Sequence, residues 1–196
     1  MDRSAETDHP VQEFIATRWS PYSFSSRPVP GEVLHSLFEA ARWTMSSYNE
    51  QPWRYLFSTA GEPDFPRVLS CLVEANQAWA QHVPVLVLGV TCDHFTRNDK
   101  PNAHALHDLG AASAALTFEA TARGLHVHQM AGIDPERARS EFSIPPGFTP
   151  RTALAIGYAG SNPSLDADVA ARDRNERRRR PLSEFVFDGA WGRGIA

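Results

Sequence analysis

Ala40-Ala41-Arg42-Trp43-Thr44-Met45-Ser46-Ser47-Tyr48-Asn49-Glu50-Gln51-Pro52-Trp53-Arg54-Tyr55 is the stretch whose reading decides the fold. It begins as the end of a helix. Leu34, Leu37, Phe38 and Ala41 recur at three- and four-residue spacing, the pattern of a helix with one buried face. The pattern stops at Ser46-Ser47. Pro52 cannot continue a helix, and it drives Gln51 toward an extended backbone. Residues 53–58 then read as a strand. The stretch is a helix-to-strand connection whose hydroxyls and amides also suit a grip on a polar, planar ligand.

Outward from this connection, helices and strands alternate irregularly. Upstream, residues 1–10 read as a flexible polar tail and 11–17 as a first helix, with Pro28-Val29-Pro30-Gly31 as punctuation before the helix at 32–44. Downstream, a turn at 61–66 precedes a helix over 67–75. Val85-Leu86-Val87-Leu88-Gly89-Val90 is a continuous apolar run, typical of a central strand covered on both faces. The longest helix spans 103–123, and its small residues from Gly110 to Ala115 allow close approach of another helix. Gly124 stops it. An extended segment at 125–130, a short helix at 136–142 opened by Asp134-Pro135, and a strand at 152–158 follow. Beyond Gly160 the chain turns charged, then ends in an apolar extension, an arm over about residues 161–196. No regular βαβ rhythm emerges, so the reading is α+β with a single domain over 11–196.

Composition narrows the function. The 196 residues carry a net charge of −4, which disfavours a nucleic-acid partner for the molecule as a whole. No apolar run reaches membrane-spanning length. The N-terminus lacks the apolar core of a signal peptide, and the two cysteines, Cys71 and Cys92, are isolated, so a reduced, cytoplasmic protein is expected.

Several motifs carry chemistry. Arg18 and Ser20, two residues apart, can both reach one phosphate. The run Arg177-Arg178-Arg179-Arg180 lies beside Asp173 and Glu176 and fits a clamp on a small phosphorylated ligand better than a nucleic-acid patch. His126 and His128 alternate on an extended segment and share a side, but no ligand set at standard spacing completes a metal site. No G-x-S-x-G elbow accompanies Ser46 or Ser47, and neither G-x-G-x-x-G nor a P-loop is present. A bound nucleotide would be held by something other than a glycine-rich loop.

Taken together, Arg18-Trp19-Ser20-Pro21-Tyr22-Ser23-Phe24, the opening stretch with its S-S-x-N-x-Q-P-W core, residues 124–132, Ala155-Ile156-Gly157-Tyr158 and Arg179-Arg180-Pro181-Leu182 resemble the FMN-dependent nitroreductase family. The resemblance runs from Val11 to Trp191. It implies a central mixed β-sheet surrounded by helices, and a homodimer with an extended C-terminal arm and FMN at the subunit interface. By motif, Arg18, Trp19 and Ser20 match the phosphate and ribityl end, with Tyr22 nearby. Arg179 matches the C-terminal phosphate arginine and Arg177 its basic partner, with the register open within 177–180. Met45, Ser46, Ser47, Asn49 and Gln51 match the loop that reaches the flavin from the other subunit. Asn76 matches a side chain at the isoalloxazine edge, and Ala131 and Gly132 match backbone beside flavin N5. Two positions depart from the pattern: Met45 stands where members commonly have proline, and Ala131 where some have an acid.

The chemistry implied is a ping-pong transfer of two electrons from NAD(P)H through FMN to a small-molecule acceptor such as a nitroaromatic or a quinone. No side chain is expected to be catalytic, because the cofactor carries the chemistry. Two alternatives stay open. One is a flavoenzyme of the same fold doing dehalogenation, dehydrogenation or flavin breakdown. The other is a non-enzymatic flavin-binding protein.

Overall fold

The computed structural model describes residues 3–161 and 164–195. Met1 and Asp2 of the tail, Asn162 and Pro163 of the arm, and Ala196 lie outside them. Helix α1 is Glu13–Thr17 and α2 is Gly31–Arg42. Strand β1, Trp53–Thr59, leads to α3 (Phe65–Ser70) and α4 (Glu74–Ala80), then to β2, Val85–Cys92. Helix α5, Ala105–Ala122, precedes β3, His126–Met130. Helix α6 (Pro135–Glu141), strand β4 (Phe148–Gly157) and helix α7 (Ala167–Arg172) complete the chain.

The strands form one sheet in the order β1-β2-β4-β3. Each neighbouring pair is antiparallel, which corrects the mixed sheet implied by the resemblance. The reason is topological. Helix α5 carries the chain from β2 back to β3 in the same direction, which would make a parallel pair if the two were neighbours. Instead β4 enters between them, with Leu86 opposite Ala155 on one side and His128 opposite Ala155 on the other.

Alternation along the strands sorts the core into two layers. Val85 and Val87 of β2 and Leu154 and Ile156 of β4 face α2 and α5, where Leu34, Leu37 and Ala41 meet Ala112, Leu116 and Ala120. Leu86, Leu88, Ala153 and Ala155 face α3, α4 and α6, where Phe65, Val68, Trp79 and Ala138 cover them. The alanines of α5 allow the close helix approach read from the sequence.

Trp79 is the largest fully buried side chain. Its ring lies edge-on to Tyr22 at 5.2 Å and against His128 at 4.7 Å. Trp79→Ala is expected to cost about 3–5 kcal/mol, the usual range for emptying so large a core site. Urea unfolding checks this, and an unchanged midpoint would contradict the packing.

Three local differences from the sequence reading have clear causes. The helix expected at 67–75 breaks in two because residues 71–73 pair with 132–134 instead. Leu72 bridges Ile133, Asp134 N–H donates to Cys71 O at 2.7 Å, and Val73 N–H donates to Gly132 O at 3.1 Å. Strand β4 starts at Phe148, earlier than expected, and accommodates Pro150 beside a register shift at Gly89/Val90. Helix α7 forms in the charged stretch because the Asp166 carboxylate caps it, accepting from the N–H groups of Asp168 and Val169.

Candidate functional site: an arginine corner, an edge-strand platform and a strained loop

The end of α1 delivers Arg18 to a corner where the two ends of the chain meet. Arg18 Nη1 donates to Ser20 Oγ at 3.1 Å. Trp19 lies edge-on to His126, ring centroids 5.5 Å apart, and the Arg3 guanidinium sits 4.6 Å above the indole. The C-terminal segment enters from the other side. Arg177 donates to the carbonyls of Ala16 and Arg18, each at 2.8 Å, and to that of Arg3. A pocket of about 410 Å³ results, bordered by Arg18, Trp19, Ser20, Arg177 and Arg179.

The charges in this corner are unbalanced. Arg178, which also borders the pocket, is paired with Glu176 at 2.5 Å, and Arg180 with Glu184 at 3.8 Å. Among the described residues Arg18, Arg177 and Arg179 form no ion pair with a carboxylate. Burial, then Arg177 and Arg179, pull the Arg18 pKa below its ordinary value. Burial, then Arg179 and Arg3, do the same for Arg177. Guanidiniums held together without a counter-charge make a site for an anion with several acceptor oxygens. Of the four arginines, Arg177, Arg178 and Arg179 border the pocket, and only Arg178 of these three is paired with a carboxylate, while Arg180 pairs with Glu184 away from it.

Tyr22 lies at the back of the corner, its N–H bonded to Asp173 Oδ1 at 2.8 Å and its ring 4.7 Å from that of His128. His128 Nδ1–H donates to Pro21 O at 2.9 Å. His126 and His128 both titrate below the usual imidazole range, with burial the largest cause for each. Arg18 adds to the depression of His126. The unfolded chain therefore binds protons that the folded chain refuses. Stability from these groups is fully present above the ordinary histidine pKa of about 6.5 and is lost as the pH falls below it. The melting temperature should be lower at about pH 5.5 than at about pH 7.5, and His128→Gln should narrow that gap. An equal gap in the variant would contradict a depressed His128.

A second group stands at the far end of β3. Met130 leads into exposed Ala131 and then Gly132, whose carbonyl accepts from Asn76 Nδ2 at 3.0 Å. A Cβ at Gly132 would lie 2.6 Å from Asn76 Nδ2 and 2.8 Å from Val73 Cγ2. Gly132→Ala is therefore expected to displace Asn76, at about 1–3 kcal/mol of stability. Thermal unfolding checks it, and a neutral substitution would contradict the close approach.

The loop of the opening stretch forms the third group. Tyr48, Asn49 and Gln51 have φ of 54°, 55° and 52°, a left-handed conformation costly for residues other than glycine, so Gln51 is not extended as its place before Pro52 led one to expect. The surroundings hold it. Ser47 N–H donates to Asp108 Oδ2 at 3.0 Å, and Gln51 N–H donates to Ser46 Oγ at 3.0 Å. Gln51 Nε2 donates to Asn49 O at 3.1 Å, and Thr96 N–H to Glu50 Oε1 at 2.8 Å. Met45 is 78% exposed and Tyr48 73%. Sequence reasoning missed Asp108, which is only 2% exposed. A carboxylate in an otherwise apolar stretch of α5 was the available signal.

The three groups are not all together in one chain. The corner and the Asn76–Gly132 group lie at opposite ends of the edge strand β3, about 14 Å apart along it. Both are on the side of α4, where His128 meets Trp79. The loop lies at the other edge, on the face covered by α5, where Asp108 anchors it. It enters β1 at Trp53, opposite Thr91, whereas the corner adjoins His126, opposite Gly157. The length of β2 separates those two ends, about 20 Å. Among the described residues no hydrogen bond joins the loop to either of the other groups.

The chain is thus an α+β protein, an antiparallel sheet layered between helices, with an arginine corner and a close-approach glycine near the two ends of its edge strand. The sequence profile of the nitroreductase family matches residues 15–85. A solved structure described as an oxidoreductase containing FMN is similar, with 34% identity, a TM-score of 0.89 and 95% of each chain covered. A nitroreductase family protein from Clostridium difficile 630 shares the fold, with 24% identity, a TM-score of 0.71, and 91% of this chain and 97% of that one covered. A 15.4 kDa protein of unassigned function from Mycolicibacterium smegmatis is 36% identical over 124 residues, 63% of this chain and 82% of that protein. The chain belongs to the nitroreductase family.

Proposed function

We propose that the protein is an FMN-dependent NAD(P)H oxidoreductase of nitroreductase type, acting as a cytoplasmic homodimer on a small-molecule acceptor. The observation that carries this reading is the spacing along β3: at one end a corner where Arg18, Arg177 and Arg179 have no ion-pair partner among the described residues, and at the other a platform of Asn76 with Gly132. That spacing fits a ligand with a phosphate, a flexible middle and a flat head. When bound, FMN supplies two-electron chemistry at N5, with hydride in from NAD(P)H and electrons out to a nitroaromatic, a quinone or a related acceptor.

The residues of this chain bind and orient. Arg18, Ser20 and Arg179 hold the phosphate, with Arg177 bracing the backbone beside them. Trp19 and Tyr22 flank the flexible middle. Asn76, Ala131 and Gly132 present an amide oxygen and backbone groups to the head. The loop at Met45, Ser46, Ser47, Asn49 and Gln51 belongs to a different site from the corner of its own chain, since the sheet stands between them. In a homodimer it would cover the head bound by the partner and exclude water there. No side chain is assigned a proton or a hydride.

Acceptor screening with NADH and NADPH tests the enzymatic part. FMN-dependent reduction of a nitroaromatic or a quinone is the expected result. Flavin that NAD(P)H does not reduce would favour a flavin-binding protein without this activity.

A further inference from the structure

The anion corner is built from two parts of the chain more than 150 residues apart in sequence, Arg18 with Ser20 and Arg177 with Arg179. Something must hold the two parts in register. We propose that Asp173, a carboxylate at the pocket's border that pairs with none of its guanidiniums, is the positioning residue that sets this register and so tunes affinity for the phosphate end of the cofactor. The proposal rests on the FMN reading above.

Asp173 follows α7 directly and faces the N-terminal segment. Its Oδ1 accepts from Tyr22 N–H at 2.8 Å and its Oδ2 from Ser23 N–H at 2.8 Å. Both oxygens are thus engaged by backbone. Among the described residues the carboxylate pairs with no guanidinium, although it borders the pocket that Arg18, Arg177 and Arg179 line. Four residues on, Arg177 grips the carbonyls of Ala16 and Arg18. Asp173 and Arg177 therefore clip the backbone on both sides of Arg18-Trp19-Ser20, one through N–H groups and the other through carbonyls. The segment between the clips is the one that presents Arg18 and Ser20. Arg179 lies two residues beyond the second clip. Loosening the first clip frees residues 22–23 and lets Arg18 and Ser20 drift from Arg179 with every anion ligand still present. A displacement of that kind is costly where several donors must converge on one group.

The charge of Asp173 also matters to the choice of residue. In Asn one of the two carboxylate oxygens is replaced by an NH2 group, which only donates, so one of the two N–H groups faces a donor in this geometry. Asn is therefore the graded variant and Ala the complete one.

The experiment compares FMN with riboflavin, which lacks the phosphate, by flavin-fluorescence titration of the full-length protein. Melting temperatures are recorded alongside. Asp173→Ala is expected to weaken FMN binding roughly 10- to 100-fold, the scale for hydrogen bonds to a charged group, with Asp173→Asn intermediate. Riboflavin affinity should fall much less than FMN affinity in both, since riboflavin keeps the flexible middle that Tyr22 flanks but lacks the phosphate. A parallel loss of FMN and riboflavin affinity would overturn the proposal, because the residue would then support the whole fold. Unchanged FMN affinity would overturn it too. If Asp173→Ala does not fold, the Asn variant carries the same comparison. If the unsubstituted protein binds neither flavin, the FMN reading fails separately. Titration with inorganic phosphate then decides Asp173: weakened phosphate binding in the variant supports the clip, and unchanged binding overturns it.

Discussion

Arg18→Ala combined with Arg179→Ala will leave the purified protein without flavin. Each substitution removes a charge-assisted contact to the phosphate, about 1.5–3 kcal/mol apiece. Together they amount to about 3–6 kcal/mol, or roughly a 10²- to 10⁴-fold loss of FMN affinity. The two will not add simply. Arg18 and Arg179 would contact the same group, so their effects are coupled. Arg180→Ala is the matched control. Its side chain does not line the pocket and is paired with Glu184, so its removal should leave FMN binding in place. Equilibrium dialysis against FMN distinguishes the two proteins. Equal losses in both would show that the run acts as a diffuse basic patch.

The second large effect concerns the loop. Ser46→Ala with Asn49→Ala removes the hydroxyl that braces Gln51 and an amide on the loop, and it should lower flavin content while leaving the corner intact. Mixed with the Arg18→Ala, Arg179→Ala chain, the two defective proteins should restore each other. In a two-fold dimer each site would take its corner from one chain and its loop from the other. A mixed dimer then has one site with both defects and one with none, so random reassortment returns roughly a quarter of all sites. The geometry behind this is the separation of the loop from the corner by the sheet and by the length of β2. Flavin content after denaturing and refolding the mixture reads the result. No recovery would mean that each site is built within one chain.

The parts legible in the sequence are those governed by near neighbours. The spacing of Leu34, Leu37 and Ala41 fixes the buried face of α2, and the apolar run in β2 marks a strand covered on both sides. Pro52 ends the loop where the structure ends it. The proximity of Arg18 and Ser20 is likewise local, and the two do meet. What escaped depends on partners far along the chain. That β4 separates β2 from β3 is decided by pairing across the whole second half, and no residue of β4 announces it. The break between α3 and α4 arises because residues 71–73 prefer strand-like partners at 132–134. Asp173 reads in the sequence as a neutralising neighbour of the arginines, yet its carboxylate turns to backbone N–H groups about 150 positions away. The ion pairs of the arginine run were hidden for a similar reason, since four identical residues differ only in which of them meet Glu176 or Glu184 in the fold.

The loop that opened the sequence reading gains a physical character from the fold. It is a polar connection held in a left-handed backbone at three side-chain-bearing residues, and a buried carboxylate anchors it. Strain of that kind persists only where surrounding contacts over-determine it.

The most direct test of the central claim is the visible absorption spectrum of the purified protein, followed by anaerobic titration with NADH and NADPH. The account predicts a yellow protein that releases FMN on denaturation and is bleached by one or both nicotinamides. A colourless protein that takes up no added FMN would contradict it.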